Sequence, residues 1–475
     1  MAYNFVATDR EQLMLMPPSM ADWLPQDHLV WFILDVVAEL DLAAFLAPYR
    51  VDGRGGAAYD PQMMLGLLVY AYALGELSSR RIERRLVEDV AFRVAAANQQ
   101  PDHATVARFR AGHQDAIAGL FGQVLAVCAR AGVLRPGLVA IDGTKLAANA
   151  SRDANRTAAQ LAAEILTEAA ATDAAEDAAD QGAEELGEPA AELRERGGRR
   201  ARLRGLLDEL ETEAREKSYE RHLAKREAIE KATGKPIRGR RPSPQAATHR
   251  ARGQTNVSDP DSRLLKTPRG YVQGYNGQAV ATEQQFVIAA EVTNLAHDAP
   301  AYTPVITAAK NNLRLAGEKR RVRRVVADAG YWSTDNANLN GVESFIAPGR
   351  ARDLKRITEA DQERTAIMDR VEARQLDTAQ AAELLGVSRA RVNQLLGRRR
   401  RGEPEPLTTT MVAKLDSARG RRTYKKRAAM IEPVFAQIKH NRKIRTVSRR
   451  GLSAVDSEWK LICATHNLLK LWRLA

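Results

Sequence analysis

Three carboxylates in this chain of 475 residues stand where carboxylates can do chemistry. Asp142 follows the continuous apolar run Leu138 Val139 Ala140 Ile141, and Asp328 follows the run Val322 to Ala327 in the same way. A short apolar run of this kind reads as a strand buried on both faces, so each acid is expected at the C-terminal end of a strand, ahead of a glycine-containing turn. Ligand sites of α/β sheets favour that edge. One aspartate there is an ordinary turn residue or helix cap, but a pair asks for a third member. Glu432 supplies it, in the basic stretch Tyr424 to Lys439. Seven residues, two helical turns, separate Glu432 from Lys439, so both can project from one face, and Tyr424 and Arg427 share a face one turn apart. Three converging carboxylates would hold two hard cations, Mg²⁺ or Mn²⁺, about 3.5–4 Å apart. One would activate water or a 3′-hydroxyl and the other would stabilise the leaving oxygen of a phosphodiester, while Arg427 and Lys439 hold phosphates of the bound strand.

Elements of two kinds must position these residues. From about Asp22 to Tyr49 apolar residues recur at helical spacing (Leu29, Phe32, Ile33, Val36, Val37, Leu40), before a break at Gly53, Gly55 and Gly56. Tyr59 to Ala97 and Asp102 to Ala131 continue the pattern, so residues 1–133 read as all-helical. The period changes at Leu138, where a β-rich core begins. Its continuation is postponed, because residues 160–192 carry ten acidic side chains, twelve alanines and no Lys or Arg, and 193–231 mix charges at helical spacing. This is a helical or partly disordered excursion, closed by the cationic, proline-rich linker 235–244. Strand signals return at Tyr271 to Thr282 and Gln285 to Thr293, followed by a helix at Pro300 to Leu315 and strands at Val322 to Ala327 and Glu343 to Ala347. About five strands with crossover helices make a mixed α/β sheet interrupted by insertions. Within residues 373–400, two short helices joined at Gly386 to Ser388 carry a helix-turn-helix signature; the second, with Arg398 to Arg401, suits a major groove. Pro433 directly follows the third acid, and a proline disfavours a helical residue before it, which puts Glu432 at a helix start rather than mid-helix.

The charge points to one class of partner. Lys and Arg number 72 against 59 Asp and Glu, a net +13, and residues 411–475 alone hold sixteen basic and four acidic side chains. Arg442, Lys443, Arg445, Arg449 and Arg450 lie close together there. A solvated face normally mixes signs, whereas this one suits a phosphate backbone. Cys128 and Cys463 make neither a disulfide framework nor a zinc knuckle and fit a reducing cytoplasm. Asp9, Arg10 and Glu11 precede any apolar run, and the uncharged stretch Pro61 to Gly75 is only 15 residues long, so neither a signal peptide nor a membrane span is expected. His103, His297 and His466 lack ligand spacing and read as packed or surface residues, and Trp332 reads as core. With no phosphate-cradling glycine loop and no Rossmann fingerprint, no nucleotide cofactor is expected.

These motifs resemble those of the DDE transposases of bacterial insertion sequences. Asp142-Gly143-Thr144, Asp328-Ala329-Gly330-Tyr331 and the Tyr424, Arg427, Glu432, Lys439 signature carry the resemblance, although four residues separate Arg427 from Glu432 where many relatives have three. Ser78 to Glu83, Pro101 to Thr105 with Arg108 to Arg110, and Asp259 to Arg263 with Gly274 to Asn276 are similar to segments of the same proteins. The resemblance covers most of the chain outside 155–250 and 355–410. It implies an α/β fold with a ribonuclease-H-like mixed sheet flanked by helices, after an N-terminal all-helical, DNA-end-binding domain (1–133). The core would comprise 134–154 with the first acid, 251–350 with the second and the basic helical 411–475 with the third. A charged helical insertion with its basic linker (155–250) and a second insertion with the helix-turn-helix-like hairpin (351–410) would split it.

The resemblance further implies a cytoplasmic, nucleoid-associated, metal-dependent enzyme. It would bind terminal inverted repeats as double-stranded DNA, hydrolyse the phosphodiester at each element end and join the freed 3′-hydroxyl to target DNA, as a homodimer on DNA. Asp142, Asp328 and Glu432 would be the catalytic metal ligands. Tyr424, Arg427, Lys439, Arg80, Arg81, Arg108, Arg110, Arg442, Lys443, Arg449 and Arg450 would contact DNA. The competing readings are a non-catalytic DNA-binding regulator and a nuclease of the same fold that cuts without joining. A coiled-coil protein finds support only in residues 157–231.

Overall fold

The computed structural model describes residues 19–49, 58–181, 191–233, 253–268, 270–349, 351–400 and 407–474. The Asp9 to Glu11 segment, the break at Gly53 to Gly56 and the basic linker 235–244 lie outside them. The N-terminal part is helical: α1 (Leu29–Ala38), α2 (Ala43–Leu46), α3 (Pro61–Ala73), α4 (Ser79–Glu88), α5 (Val90–Ala95), α6 (His103–Gly112) and α7 (Gln114–Arg130). Short polar side chains set the starts, where they satisfy otherwise unpaired amides. Asp60 accepts from Gln62 N at 2.6 Å with Pro61 opening the helix, Asp102 accepts from Thr105 N at 2.6 Å, and Ser78 and Asp89 do the same for α4 and α5. The uncharged stretch noted above becomes α3, buried from Met64 to Ala73, as an all-round apolar helix inside a protein should be. No helix among the described residues is long and apolar enough to cross a membrane.

The chain then enters β1 (Leu138–Ala147) and β2 (Asn155–Thr157), makes the long helices α8 (Ala158–Gln181) and α9 (Ala191–Thr233), and returns through β3 (Gln254–Asn256). Strands β2 and β3 pair antiparallel, so the excursion leaves and re-enters at a two-stranded neck. Leu161 and Ile165 pack against Leu203, Leu206 and Leu210 in a small core of its own. There follow β4 (Arg263–Thr267), β5 (Gly270–Thr282), β6 (Val287–Thr293), α10 (Tyr302–Leu315), β7 (Arg324–Ala327), α11 (Thr334–Ala337) and β8 (Glu343–Ile346). The main sheet has six strands in the order β4-β5-β1-β7-β8, with β6 also on β5. β1 pairs antiparallel with β5 and parallel with β7, and β7 pairs parallel with β8. Strands β2, β3 and β4 were not expected from the sequence; each is short, and none carries a long apolar run.

The last third is helical: α12 (Ala351–Glu372), α13 (Thr378–Leu384), α14 (Arg389–Arg400), α15 (Leu407–Asp416), α16 (Ala418–Ala436) and α17 (Leu452–Trp472). In the second insertion Asp377 and Gln380 form a capping box, Gly386 turns with φ +62°, and Ser388 Oγ accepts from Arg391 N at 3.3 Å at the start of α14. Ile367, Met368, Ala381, Val392 and Leu396 bind α12 to α14 into one three-helix unit. The main core runs without a break from the N-terminal helices through the sheet to α17, which packs against α3 and α7 on one side and β5 and β6 on the other.

Candidate active site

The sheet brings two of the three acids together by register. Leu138 pairs with Arg324, Val139 with Val325 and Ala140 with Val326; continuing by two residues sets Asp142 level with Asp328. The parallel ladder stops before that point, leaving the two carboxylates side by side where the strands diverge. One expectation needs correction here. Asp142 does not end its strand, because β1 continues to Ala147 against β5, with Asp142 opposite Ala279. Asp328 does follow the end of β7, and its Oδ1 accepts from Gly330 N at 2.9 Å.

Arg427 stands over the pair from α16. Its Nη1 donates to Asp142 Oδ2 at 3.0 Å, and its Nη2 lies 3.7 Å from Glu432 Oε1. The Asp142 and Arg427 side chains are each 20% exposed, whereas Glu432 is 60% exposed, so the third acid stands at the rim beyond the guanidinium. Burial, and then the Asp328 charge, push the Asp142 carboxyl up to about 6 against the pull of Arg427. Burial also raises Asp328. Two crowded hard-oxygen groups of this kind suit a divalent cation, which would relieve their repulsion. The convergence of all three acids is not what the structure shows: among the described residues no three His, Cys, Asp or Glu side chains are grouped closely enough to hold a metal ion.

Glu432 is also not at a helix start. α16 runs through Pro433, whose missing N–H would leave the Ala429 carbonyl without its helical donor. Gln285, in the turn between β5 and β6 with φ +63°, donates its Nε2 to that carbonyl at 3.0 Å. The same residue accepts from His466 Nε2 at 3.0 Å through its backbone and from Lys470 Nζ at 3.0 Å through its side chain, tying α16 to α17. Beyond Pro433, α16 passes into one wide π-type turn, Gln437–Asn441. That turn directs Lys439 to β1, where its Nζ donates to Lys145 O at 2.6 Å, while Glu432 faces solvent. Burial, followed by the nearby Arg445 and Lys145 charges, brings the Lys439 ammonium down to about 8. Tyr424 is half-buried beside Arg427, and burial raises its hydroxyl.

Asp298 and Gln278 at the site carried no signal in the sequence. Asp298 is a further carboxylate beside the acids: its Oδ1 accepts from Asn276 Nδ2 at 2.6 Å and Gln278 Nε2 at 3.0 Å, with Lys145 Nζ at 3.5 Å. Tyr331 donates its hydroxyl to Gln278 Oε1. Gly143 leaves room for these side chains, since a Cβ would lie 2.6 Å from Gln278 Nε2 and 2.8 Å from Asp298 Oδ1 and would displace them. Strand alternation puts Gly143 and Lys145 on one side of β1, and that pairing was the available clue to Lys145.

The other expected DNA contacts divide by burial. Arg80, Arg81, Arg108, Lys443 and Arg450 are exposed, with Arg81 paired to Glu76 at 2.8 Å and Arg450 Nε donating to Asn149 O at 2.8 Å. Arg449 is half-buried. Arg110 and Arg442 must be corrected, because both are buried ties within the protein. Arg110 Nη1 donates to Tyr72 Oη (3.1 Å), Leu77 O (2.7 Å) and Ser448 Oγ (3.1 Å). Tyr72 Oη in turn donates to Glu458 Oε1 at 2.7 Å. Arg442 donates to Tyr72 O, Ile462 O and Thr465 Oγ1 at 2.6–3.0 Å. The Asp259 to Arg263 segment is structural as well: Asp259 accepts from Tyr275 Oη at 2.6 Å, and Asp261 from Leu452 N at 2.8 Å at the start of α17. His103 pairs with Glu83 at 2.8 Å, His297 is exposed, His466 is buried and Trp332 packs against the core. In the helix-turn-helix-like unit Arg389 and Arg391 are exposed, Arg399 pairs with Asp369 at 2.9 Å, and the side chains of Arg398, Arg400 and Arg401 lie outside the described residues.

Comparison with known proteins adds two matches. Residues 18–112 match a family model described as a transposase domain (DUF772), and residues 393–472 match one described as a transposase DDE domain. The first covers α1 to α6 and the second runs from α14 through α17, including Arg427, Glu432 and Lys439. No curated protein and no solved structure gives a significant match.

Proposed function

The two matches indicate an insertion-sequence DDE transposase, and from that premise we propose that the chain binds the terminal inverted repeats of its element, hydrolyses the phosphodiester at each end and joins the freed 3′-hydroxyl to target DNA. The observation that carries the proposal is the pair Asp142 and Asp328, level on adjacent parallel strands with Arg427 3.0 Å from the first. The sheet supports a ribonuclease-H-like reading of the core, with an antiparallel β1-β5-β6 ladder on one side and parallel β7 and β8 on the other.

Asp142 and Asp328 would hold divalent cations, Mg²⁺ or Mn²⁺, whose chemistry is to activate the attacking hydroxyl and neutralise charge on the phosphate. Arg427, turning from Asp142 to a DNA phosphate, would grip it with both Nη atoms and leave Glu432 free to join the two aspartates. Lys439 and Lys145 supply further positive charge beside the reacting phosphate. The exposed Arg389 and Arg391 at the start of α14 support a second contact, in the major groove. Work on two element ends at once implies a homodimer on DNA.

The test is to incubate the protein and its Asp328→Asn variant with Mg²⁺ and labelled DNA spanning both flanks of the gene. Cuts at the flanks and joined products are expected from the wild type alone, and both should vanish in EDTA. DNA retained without any cut would favour the regulator, and cuts without joined products would favour the nuclease.

A further inference from the structure

A cleft of about 1240 Å³ lies at the other end of the strands that carry the acids. Asp328 follows the C-terminal end of β7, and Asp142 lies level with it midway along β1; the cleft is lined by Leu138, Arg324 and Glu343, the residues that open β1, β7 and β8. Arg324 to Asp328 is four steps along the chain, about 13 Å at ~3.3 Å per residue. The cleft and the catalytic mouth therefore open at opposite edges of one sheet.

Arg135, Lys319, Arg321, Arg323 and Arg324 line this cleft. Among the described residues no ion-pair or hydrogen-bond partner engages any of these five side chains. The acids of the lining are already taken: Glu283 pairs with Lys426, and Glu343 with Lys414 at 3.4 Å and Arg419 at 2.7 Å. Arg320 is held by Glu318 at 2.9 Å. The arginine run is also fixed in place. Val322, 4% exposed, anchors it in the core, and the amides of Arg323 and Arg324 both donate to Gly137 O, at 3.3 and 3.1 Å. A preset, concave row of unpaired cations repels itself unless a polyanion lies along it. The lining has no Asn or Gln to pair with adenine and no aromatic side chain to stack on a base.

We propose that this cleft is a second seat for double-stranded DNA, gripping its phosphate backbone without reading sequence and separate from the catalytic mouth. The inference rests on the proposed function only in taking DNA as the polyanion.

The test uses the full chain in EDTA, where no cutting occurs, with a fluorescent 30-base-pair duplex of random sequence. Its affinity is measured across a salt series for the wild type, for Lys319→Gln/Arg321→Gln/Arg323→Gln, and for a control, Arg202→Gln/Arg204→Gln/Lys225→Gln, which removes equal charge from exposed positions of α9. The cleft variant is expected to bind on the order of 100-fold more weakly at ~0.1 M salt, with the slope of log affinity on log salt reduced by about 3. The control should stay within a few-fold of wild type, and matching circular dichroism and melting midpoints establish that all three are folded. Equal losses in both variants, or none in the cleft variant, would overturn the proposal. Because cutting is absent from this assay, a chain that neither cuts nor joins DNA would leave the result intact.

Discussion

At the scale of single residues, Asp142 is held against its own preference. Unfolded, its carboxyl gives up a proton near its ordinary value of 3.8; folded, burial and Asp328 move that to about 6. Between those values the folded state binds more protons than the unfolded, so stability falls as pH rises through the window. Above it the ionised carboxylate costs on the order of 3 kcal/mol, and at one-fifth exposure little of that is screened. Asparagine cannot ionise. Asp142→Asn is therefore expected to raise the melting midpoint at pH 7.5, to leave it near wild type at pH 3.5, and to abolish cleavage. Thermal unfolding of both proteins at the two pH values checks this; a midpoint gain of equal size at both would show that charge is not the cause. A stabilising change that removes activity is the pattern expected of a strained functional group.

At the scale of elements, α16 depends on a residue far from it in sequence. Gln285→Ala would leave the Ala429 carbonyl unpaired beside Pro433 and cut the tie to Lys470. A stability loss of about 0.5–1.5 kcal/mol is expected from denaturant titration, the net contribution of a hydrogen bond at an exposed site. Cleavage should fall further than stability accounts for, since α16 carries both Arg427 and Glu432; cleavage equal to wild type under conditions where the variant is fully folded would contradict that. Sequence patterning found β1, β5, β6, β7, β8 and most helices, because apolar runs and alternation are local. It missed where Asp142 sits in its strand, since the length of β1 is set by β5, whose pairing partner is more than a hundred residues away. Pro433 misled for the same reason: only a side chain from another element makes that helix tolerable. Asp298 left no trace, because nothing local distinguishes it from any other loop aspartate.

At the scale of the whole molecule, the helical N-terminus and the sheet share one core, and a network of Tyr72, Arg110, Ser448 and Glu458 ties the N-terminal helices α3 and α6 to α17 and the segment before it. The change from helix to strand between Arg130 and Leu138 was legible as a change of period, but the shared core was not, because α17 closes it from the far end of the sequence. Arg110→Met is expected to cost about 1–3 kcal/mol, since the buried Tyr72 Oη, Leu77 O and Ser448 Oγ lose their shared donor. Urea titrations followed by helical circular dichroism and by tryptophan fluorescence should shift together; separate shifts would mean that the two parts unfold independently. The neck formed by β2 and β3 has a different consequence. Paired strands lie ~4.8 Å apart, so the helical excursion begins and ends at one spot, and the entropy of closing whatever lies between is settled there. Descent could lengthen, trim or exchange that hairpin without moving β1 against β5. The neck thus isolates the length of the excursion from the register of the six-stranded sheet.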